Sequence, residues 1–357
     1  MQSRVYLLRV TDWKDVEAVA RRTALFLREI DLFAGVGSGL LAGVKLTFGE
    51  EGNTGYPPPP LVREIVSALR ERGARPFLTE TNTLYSGRRK NSVDHLELAR
   101  EHGFGAEQIG APILLGDGLL GREEWSAPVS TGSRKRARLS PVVRDMDYLV
   151  GLGHVTGHLL TGFGGAIKNI SMGLASRSGK LEMHSSVSPV VRGERCTLCG
   201  RCVAACAASA ITLGPQSALI DTRLCTGCAE CLAVCPDGAV GIDWNSGSER
   251  VQERMAEYAA AIVAALSGRA VFVNLLHQVT KHCDCLGAAP EVIAPEVGIA
   301  ASSDPVALDQ ASIDLLRASA GGDPFRTAWP EVDPEVQLRH AEGLGLGVRA
   351  YRLRESA

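Results

Sequence analysis

A mainly parallel α/β sheet covered by helices, with a small α+β module inserted into it, is the fold this sequence predicts. Three observations carry that expectation. Short apolar stretches alternate with amphipathic helical patterns along the first part of the chain, and the same alternation resumes near its end. Between the two lies a stretch that holds eight of the ten cysteines. Strands alternating with helices build parallel sheets covered on both faces. The expected division is one discontinuous α/β domain, residues 1–188 and 249–357, with the insert at 189–248. By length alone, 357 residues would suggest about two domains of roughly 150 residues each. An insert is tolerated at a surface loop whose ends lie close together.

The elements follow in order. Arg4–Val10 reads as a strand. Asp12 is the expected cap of a helix from Trp13 to Ile30, with Val16, Val19, Ala20, Leu25 and Leu27 among its apolar positions. Val44–Phe48 reads as a buried strand, and Leu61–Arg72 as a helix stopped by Gly73. Arg75–Glu80 is the next strand, Val93–His102 a helix, Ile113–Leu115 a short strand and Asp147–Leu152 another. Beyond the cysteines, Ser248–Leu266 carries one apolar stripe, and Ala270–Leu276 is a strand. Asp304 caps a helix to Ala318 that has Pro305 at its first position; Glu335–Gly343 is helical, and Val348–Leu353 is a closing strand.

Composition excludes several classes. The chain is 45% hydrophobic and 22% charged, with a mean hydropathy of +0.04, so it can bury a core. Thirty-eight Lys and Arg balance 40 Asp and Glu, for a net charge of −2. No general affinity for nucleic acid or an anionic membrane is indicated. No apolar run reaches the roughly 18 residues of a membrane span. The start, MQSRVYLLRVTDWK, lacks the regions of a signal peptide. A cytoplasmic chain with reduced thiols is therefore expected, which disfavours disulfides.

The cysteines form two equal runs: Cys196, Cys199, Cys202 and Cys206, then Cys225, Cys228, Cys231 and Cys235 followed by Pro236. Each has the CxxCxxCxxxC spacing of bacterial ferredoxins, in which three thiolates wrap one cubane and the fourth reaches the other. The expected ligand sets are Cys196, Cys199, Cys202 and Cys235 for one 4Fe–4S cluster, and Cys225, Cys228, Cys231 and Cys206 for the second. Zinc sites usually pair CxxC units farther apart, and the regular runs argue against them. Ala207 stands where the first run would carry proline, which removes no ligand.

Outside that block, His154 and His158 follow the strand ending LVGLG, and strand ends are where open α/β sheets bind ligands. The segment TGFGGAIKN supplies Gly162, Gly164 and Gly165, then Lys168 and Asn169. Its glycines permit close approach of a ligand, and it is expected to open a helix whose amides hold an anion beside Lys168. It lacks the spacing of a nucleotide-phosphate loop. His184 follows. Cys283 and Cys285, in HCDC with His282 and Asp284, are candidate redox thiols or, with His184, His277 or His282, ligands of a third metal centre. The segments FGEEGN and TETNTLYSGRRKN offer Asn53, Thr81, Asn82, Tyr85 and Arg89 as weaker cleft candidates; the basic run SRKRAR reads as a solvated loop.

At these residues the sequence resembles the iron–sulfur centre proteins called domain of unknown function family 362. The matching segments are KLTFGEEGN, PFLTETNTLYSGRR, VDHLELAREHGF, GHVTGHLLTGFGGAIKN, MGLASRSGKLEMHS, the two cysteine runs, CDC and DPVALDQASIDL. Thr156 stands where the family often has lysine in H-x-K-G-H. The resemblance implies ferredoxin-like centres and no assigned reaction. A more distant likeness is to the nickel-pincer lactate racemases, through the spacing of His158, Lys168 and His184. It implies an acid/base role for His158, a cofactor anchor at Lys168 and a metal ligand at His184.

The function expected is an iron–sulfur oxidoreductase. Its two clusters would relay single electrons from a redox partner protein to a cleft lined by His154, His158, Lys168, His184 and the Cys283–Cys285 pair. The catalytic candidates are His158, Lys168 and His154, since histidine suits proton transfer near neutral pH. The expected substrate is small and anionic. Two other classes stay open: a ferredoxin-type carrier without its own substrate, and a racemase or isomerase whose clusters are structural.

Overall fold

The computed structural model describes residues 2–85, 87–129, 132, 135–184, 189–241, 247–284 and 291–356. Eight strands share one sheet: β1 (Ser3–Arg9), β2 (Leu41–Lys45), β3 (Arg75–Glu80), β4 (Ile113–Leu115), β5 (Tyr148–His154), β6 (Ala270–Leu276), β7 (Gly298–Ser302) and β8 (Tyr351–Ser356). Their order is β8-β1-β7-β6-β5-β2-β3-β4. Every pairing is parallel except the two made by β7. The α/β class expected from the sequence is the class observed.

Alternation along the central strands feeds two cores. On one face Val44, Val150 and Val273 pack with the helices Val16–Glu29 and Pro59–Glu71. On the other, Leu149 and Phe272 pack with the helices Ala166–Gly173, Ser248–Ala265 and Pro305–Ala320. Strands β5, β6 and β7 are buried along their whole length, as strands covered on both faces must be.

The departures from expectation have local causes. The first helix begins at Val16, because Asp15 accepts from the Ala18 amide; Asp12 closes its own small turn on the Lys14 amide. Strand β2 ends at Lys45, and the Phe48 amide donates instead to the Glu80 side chain at 3.3 Å. The closing strand starts at Tyr351, since the Val348 amide is drawn to Asp304 at 2.9 Å. Strand β7, unassigned in the sequence reading, is Gly-Ile-Ala-Ala-Ser, which has one β-branched and no aromatic side chain to signal a strand.

The glycine segment carries a larger correction. Residues 162–164 pair with 156–158 as a hairpin, and Gly165 leads into the helix Ala166–Gly173. The first amides of that helix do not await an external anion. Asp309, from the helix Pro305–Ala320, accepts from Ala166 at 2.7 Å and from Ile167 at 2.9 Å. Asn274 of β6 donates to the same carboxylate at 2.8 Å. Asp309 is wholly buried, so the anion expected there is built into the chain.

The cysteine-rich segment begins and ends side by side: Val190–Val191 pairs antiparallel with Val240–Gly241. Between them stand two five-residue helices, Arg201–Ala205 and Glu230–Val234, and a hairpin of Ile211–Leu213 with Ala218–Ile220. Its small core includes Cys202, Ile211, Cys231, Leu232, Cys235 and Val240, and it extends to Leu84 and Leu181 of the α/β part.

Burial holds the Asp309 carboxyl above its ordinary range, at about 6, against the opposing pull of Ile167, Asn274 and Ala166. The folded chain therefore binds this proton more tightly than the unfolded chain, whose carboxyl titrates near about 4. The ionised group's cost to folding is relieved as the pH falls through about 6 toward 4. Urea unfolding of wild type and Asp309→Asn should show a stability difference that moves in favour of wild type between pH 7 and pH 5. A difference flat with pH would contradict this. Asp309→Ala leaves three donors without their acceptor and should lower stability by about 2–4 kcal/mol at pH 7.

Candidate active site

The carboxyl ends of adjacent parallel strands open into a cleft. Lys45 ends β2, Glu80 ends β3, and His154 ends β5. The hairpin adds Thr156, His158 and Gly164; the helix Ala166–Gly173 adds Lys168 and Asn169; the helix Arg177–His184 adds Lys180 and His184; the loop after β6 adds Cys283 and Asp284.

A buried ion network forms one wall. The Lys45 ammonium donates to the Asn169 side chain at 2.8 Å and lies 3.5 Å from Glu80. Glu80 also meets Arg89 at 3.3 Å and His95 at 3.4 Å, and Arg89 meets Glu50 at 3.4 Å. Burial opposes ionisation of Glu80, yet Lys45, His95 and Arg89 outweigh it and hold the carboxyl well below the usual range. Burial likewise lowers the pKa values of Lys45 and His95. A side chain at Gly173 would collide with the Lys45 stem, so this glycine is required by space.

The histidines differ in their surroundings. His154 Nδ1 lies 2.9 Å from Asp284, and Nε2 lies 2.6 Å from the His277 carbonyl. Both nitrogens face acceptors, so both carry protons. Burial works against that charge, but Asp284, His277 and Cys283 outweigh it, and the pKa is raised. His154 is thereby held between Asp284 and the His277 carbonyl as a donor on both sides. His158 is the opposite case. Its Nδ1 accepts from the Leu160 amide at 3.1 Å, which leaves the proton of the neutral ring on Nε2. Burial, then Lys168, His184 and His282, push its pKa well below the ordinary value. His184 is lowered to about 3 by burial, then by Lys168, Lys180 and Arg254.

Lys168 lies across the hairpin and donates to the Cys283 sulfur at 2.9 Å. A side chain at Gly164 would sit 2.8 Å from the Lys168 stem. Gly165 is close to Asp309 and the Phe163 ring, whereas Gly162 faces Pro334 and does not line the cleft. Cys285 lies outside the described residues. His277 stacks on Trp13 and bonds Glu296 at 2.7 Å, away from the cleft. Among the described residues, no three His, Cys, Asp or Glu side chains converge as a site for a single metal ion.

Of the weaker candidates, Thr81, Tyr85 and Arg89 line the cleft; Asn53 and Asn82 do not. Lys45, Glu80, Lys180 and Asp284 line it and were not among the candidates. A lysine ending the apolar run LAGVK was the signal for Lys45. Lys180 gave none, because its side chain turns inward only once its helix is packed.

The eight clustered cysteines line two separate cavities. Cys206, Cys225, Cys228 and Cys231 surround one of about 340 Å³, and Cys196, Cys199, Cys202 and Cys235 surround another of about 330 Å³. The two runs also share backbone strain. Leu198 and Gly227, Gly200 and Ala229, and Ser209 and Gly238 occupy equivalent places, and all six have positive φ. Three of these are not glycine, a strain that persists only where its surroundings enforce it.

No curated protein matches the sequence. Among solved structures, the lactate racemase apoprotein from Thermoanaerobacterium thermosaccharolyticum is 12% identical with a TM-score of 0.43, over 85% of this chain and 55% of that one. A structural-genomics protein from Thermotoga maritima is 11% identical with a TM-score of 0.44, over 85% of this chain and 59% of that one. The chain thus spans little more than half the length of either. The profile of the domain of unknown function family DUF362 matches residues 43–314, about three quarters of the sequence, and the chain belongs to that family.

Proposed function

We propose that the protein is an iron–sulfur oxidoreductase, in which two 4Fe–4S clusters relay electrons from a redox partner protein to a substrate or cofactor in the cleft. The observation that carries this reading is the sorting of the eight cysteines. Each cavity takes three thiols from one run and the fourth from the other, which is the crossed pattern of two-cluster ferredoxins. Four thiols about each cavity fit a four-iron cluster. Amide hydrogen bonds reach sulfurs of both sets, among them from Ala210 to Cys206 at 3.2 Å and from Ala218 to Cys196 at 3.4 Å; such bonds tune cluster potentials.

Packing supports a path between the two parts. Leu84 belongs to the core around Cys202, Cys231 and Cys235 and also lines the cleft. Glu230, beside the cavity of Cys206, pairs with Arg122 of the α/β part. When bound, the clusters supply single electrons. The chain's own residues do the rest: His158 presents its Nε2–H as a hydrogen-bond donor, the His154–Asp284 pair fixes the wall behind it, and the buried cations orient an anionic ligand. A carrier without its own substrate would need no such cleft.

A second reading is favoured by the convergence of His158, Lys168 and His184 on one cavity. In it the protein is a racemase or isomerase with structural clusters. Activity that survives full oxidation with unchanged cluster spectra during turnover would select it.

Protein purified anaerobically should contain about eight iron and eight sulfide per chain. Four or fewer irons after careful reconstitution would overturn the two-cluster reading. Cys206→Ala should disturb the same electron-paramagnetic signal as Cys225→Ala, and Cys235→Ala the same signal as Cys196→Ala. His158→Ala should leave iron content intact while slowing reoxidation of reduced protein by its substrate about 100-fold or more. An unchanged rate would remove His158 from the mechanism.

A further inference from the structure

Among the described residues, Lys180 is a buried cation with no carboxylate in hydrogen-bonding contact. Its side chain is 8% exposed. Its ammonium donates to the Thr81 hydroxyl and to the Ala175 carbonyl, the latter at 2.8 Å; both acceptors are neutral. An ammonium has three donors, two of which these acceptors take, and Lys180 lines the cleft. Thr81 in turn donates to the Gly173 carbonyl at 3.1 Å, which fixes its lone pairs toward the lysine.

The neighbouring buried cations are treated differently. Lys45 and Arg89 both meet Glu80. Two carboxylates act on Lys180 through space only: Asp117, engaged by the Asn82 amide at 3.0 Å and the Asn82 side chain at 2.9 Å, and Glu80, engaged by Lys45 and Arg89. Burial lowers the Lys180 pKa to about 8, the sign of a charge held in a poor solvent. Burying an ion without a partner is costly, and packing alone would be met by methionine. Among the described residues, Lys45, Arg89, Lys168 and Lys180 line the cleft with two carboxylates, Glu80 and Asp284; Asp284 is paired with His154, and Glu50 stands beside Arg89. With His158 and His184 held neutral, the cavity is left positive, and low-dielectric walls focus such a field on anions.

We propose that Lys180, oriented by Thr81, binds the oxyanion group of the cleft's ligand, a carboxylate or a phosphate. The assignment depends on the cleft being the ligand site, as proposed above, but not on electrons reaching it. The shared chemistry is a compact oxyanion accepting from a buried ammonium.

The test titrates the full-length protein with malonate and, separately, with inorganic phosphate at constant ionic strength. It reads calorimetric affinity and the rise in melting temperature that a ligand of the folded state produces. Wild type should bind one or both anions and melt higher in their presence. Lys180→Met should weaken that binding by about tenfold or more, the loss of one charged hydrogen bond, and abolish the rise. Lys180→Arg should keep most of it, and Lys14→Met on the surface should change nothing. Malonate alone identifies a carboxylate ligand, phosphate alone a phosphate ester. If Lys180→Met does not fold, Lys180→Gln, which retains neutral hydrogen bonding, carries the same expectation. Equal affinity in the variant and wild type, or no response of wild type to either anion, would overturn the assignment. Iron and sulfide measured on the same samples separate this outcome from failure of the cluster reading.

Discussion

The seat of the site is the carboxylate of Asp309. It receives two amides at the start of the helix Ala166–Gly173 and the side-chain amide of Asn274 in the central strand β6. One buried anion therefore joins two helices and the sheet. It satisfies helix-end donors that would otherwise be orphaned in an apolar interior, and it complements the positive end of the helix dipole. Lys168 and Asn169 sit in the first turns of that helix, so their direction into the cleft follows from this contact. Gly165 has no side chain because Asp309 and Phe163 occupy the space one would need.

Parallel pairing explains why the polar residues meet. Strands β2, β3, β5 and β6 run the same way, so their carboxyl ends lie along one edge. Lys45, Glu80 and His154 are each the last residue of a strand, and Cys283 and Asp284 follow β6. Charges at such ends are partly removed from water, and each must find a partner or be neutralised. Glu80 does the first with Lys45, Arg89 and His95, while His158 does the second. The same edge thus holds His154 between two acceptors and His158 with Nδ1 as an acceptor, two hydrogen-bonding environments for one residue type.

The cysteine-rich segment shows how a short sequence repeat becomes a repeated backbone. Positive φ falls on the residue before the second cysteine, on the residue after it and on the third residue after the fourth, in both runs. Leucine, serine and alanine adopt that conformation at three of the six places, against their intrinsic preference. The segment is anchored to the α/β part by apolar contact at Leu84 and Leu181 and by the Arg122–Glu230 pair. No helix among the described residues is long and apolar enough to cross a membrane.

Much of the fold was legible in the sequence, because periodicity and punctuation are local. Arg75–Glu80, Ile113–Leu115 and Ala270–Leu276 were bounded correctly by apolar runs and their flanking residues, and Asp304 and Pro305 announced their helix. The cysteine spacing announced which thiols gather about each cavity. What sequence could not determine was the pairing of residues far apart in the chain. Asp309 answers a helix end 142 residues away, and Lys168 meets Cys283 across 115 residues. The antiparallel course of β7, the inward turn of Lys180 and the tethering of His154 all depend on which elements pack together. Local preferences select strands and helices one at a time. Only burial in a shared interior, where each charge and amide must be satisfied, decides which of their side chains face one another.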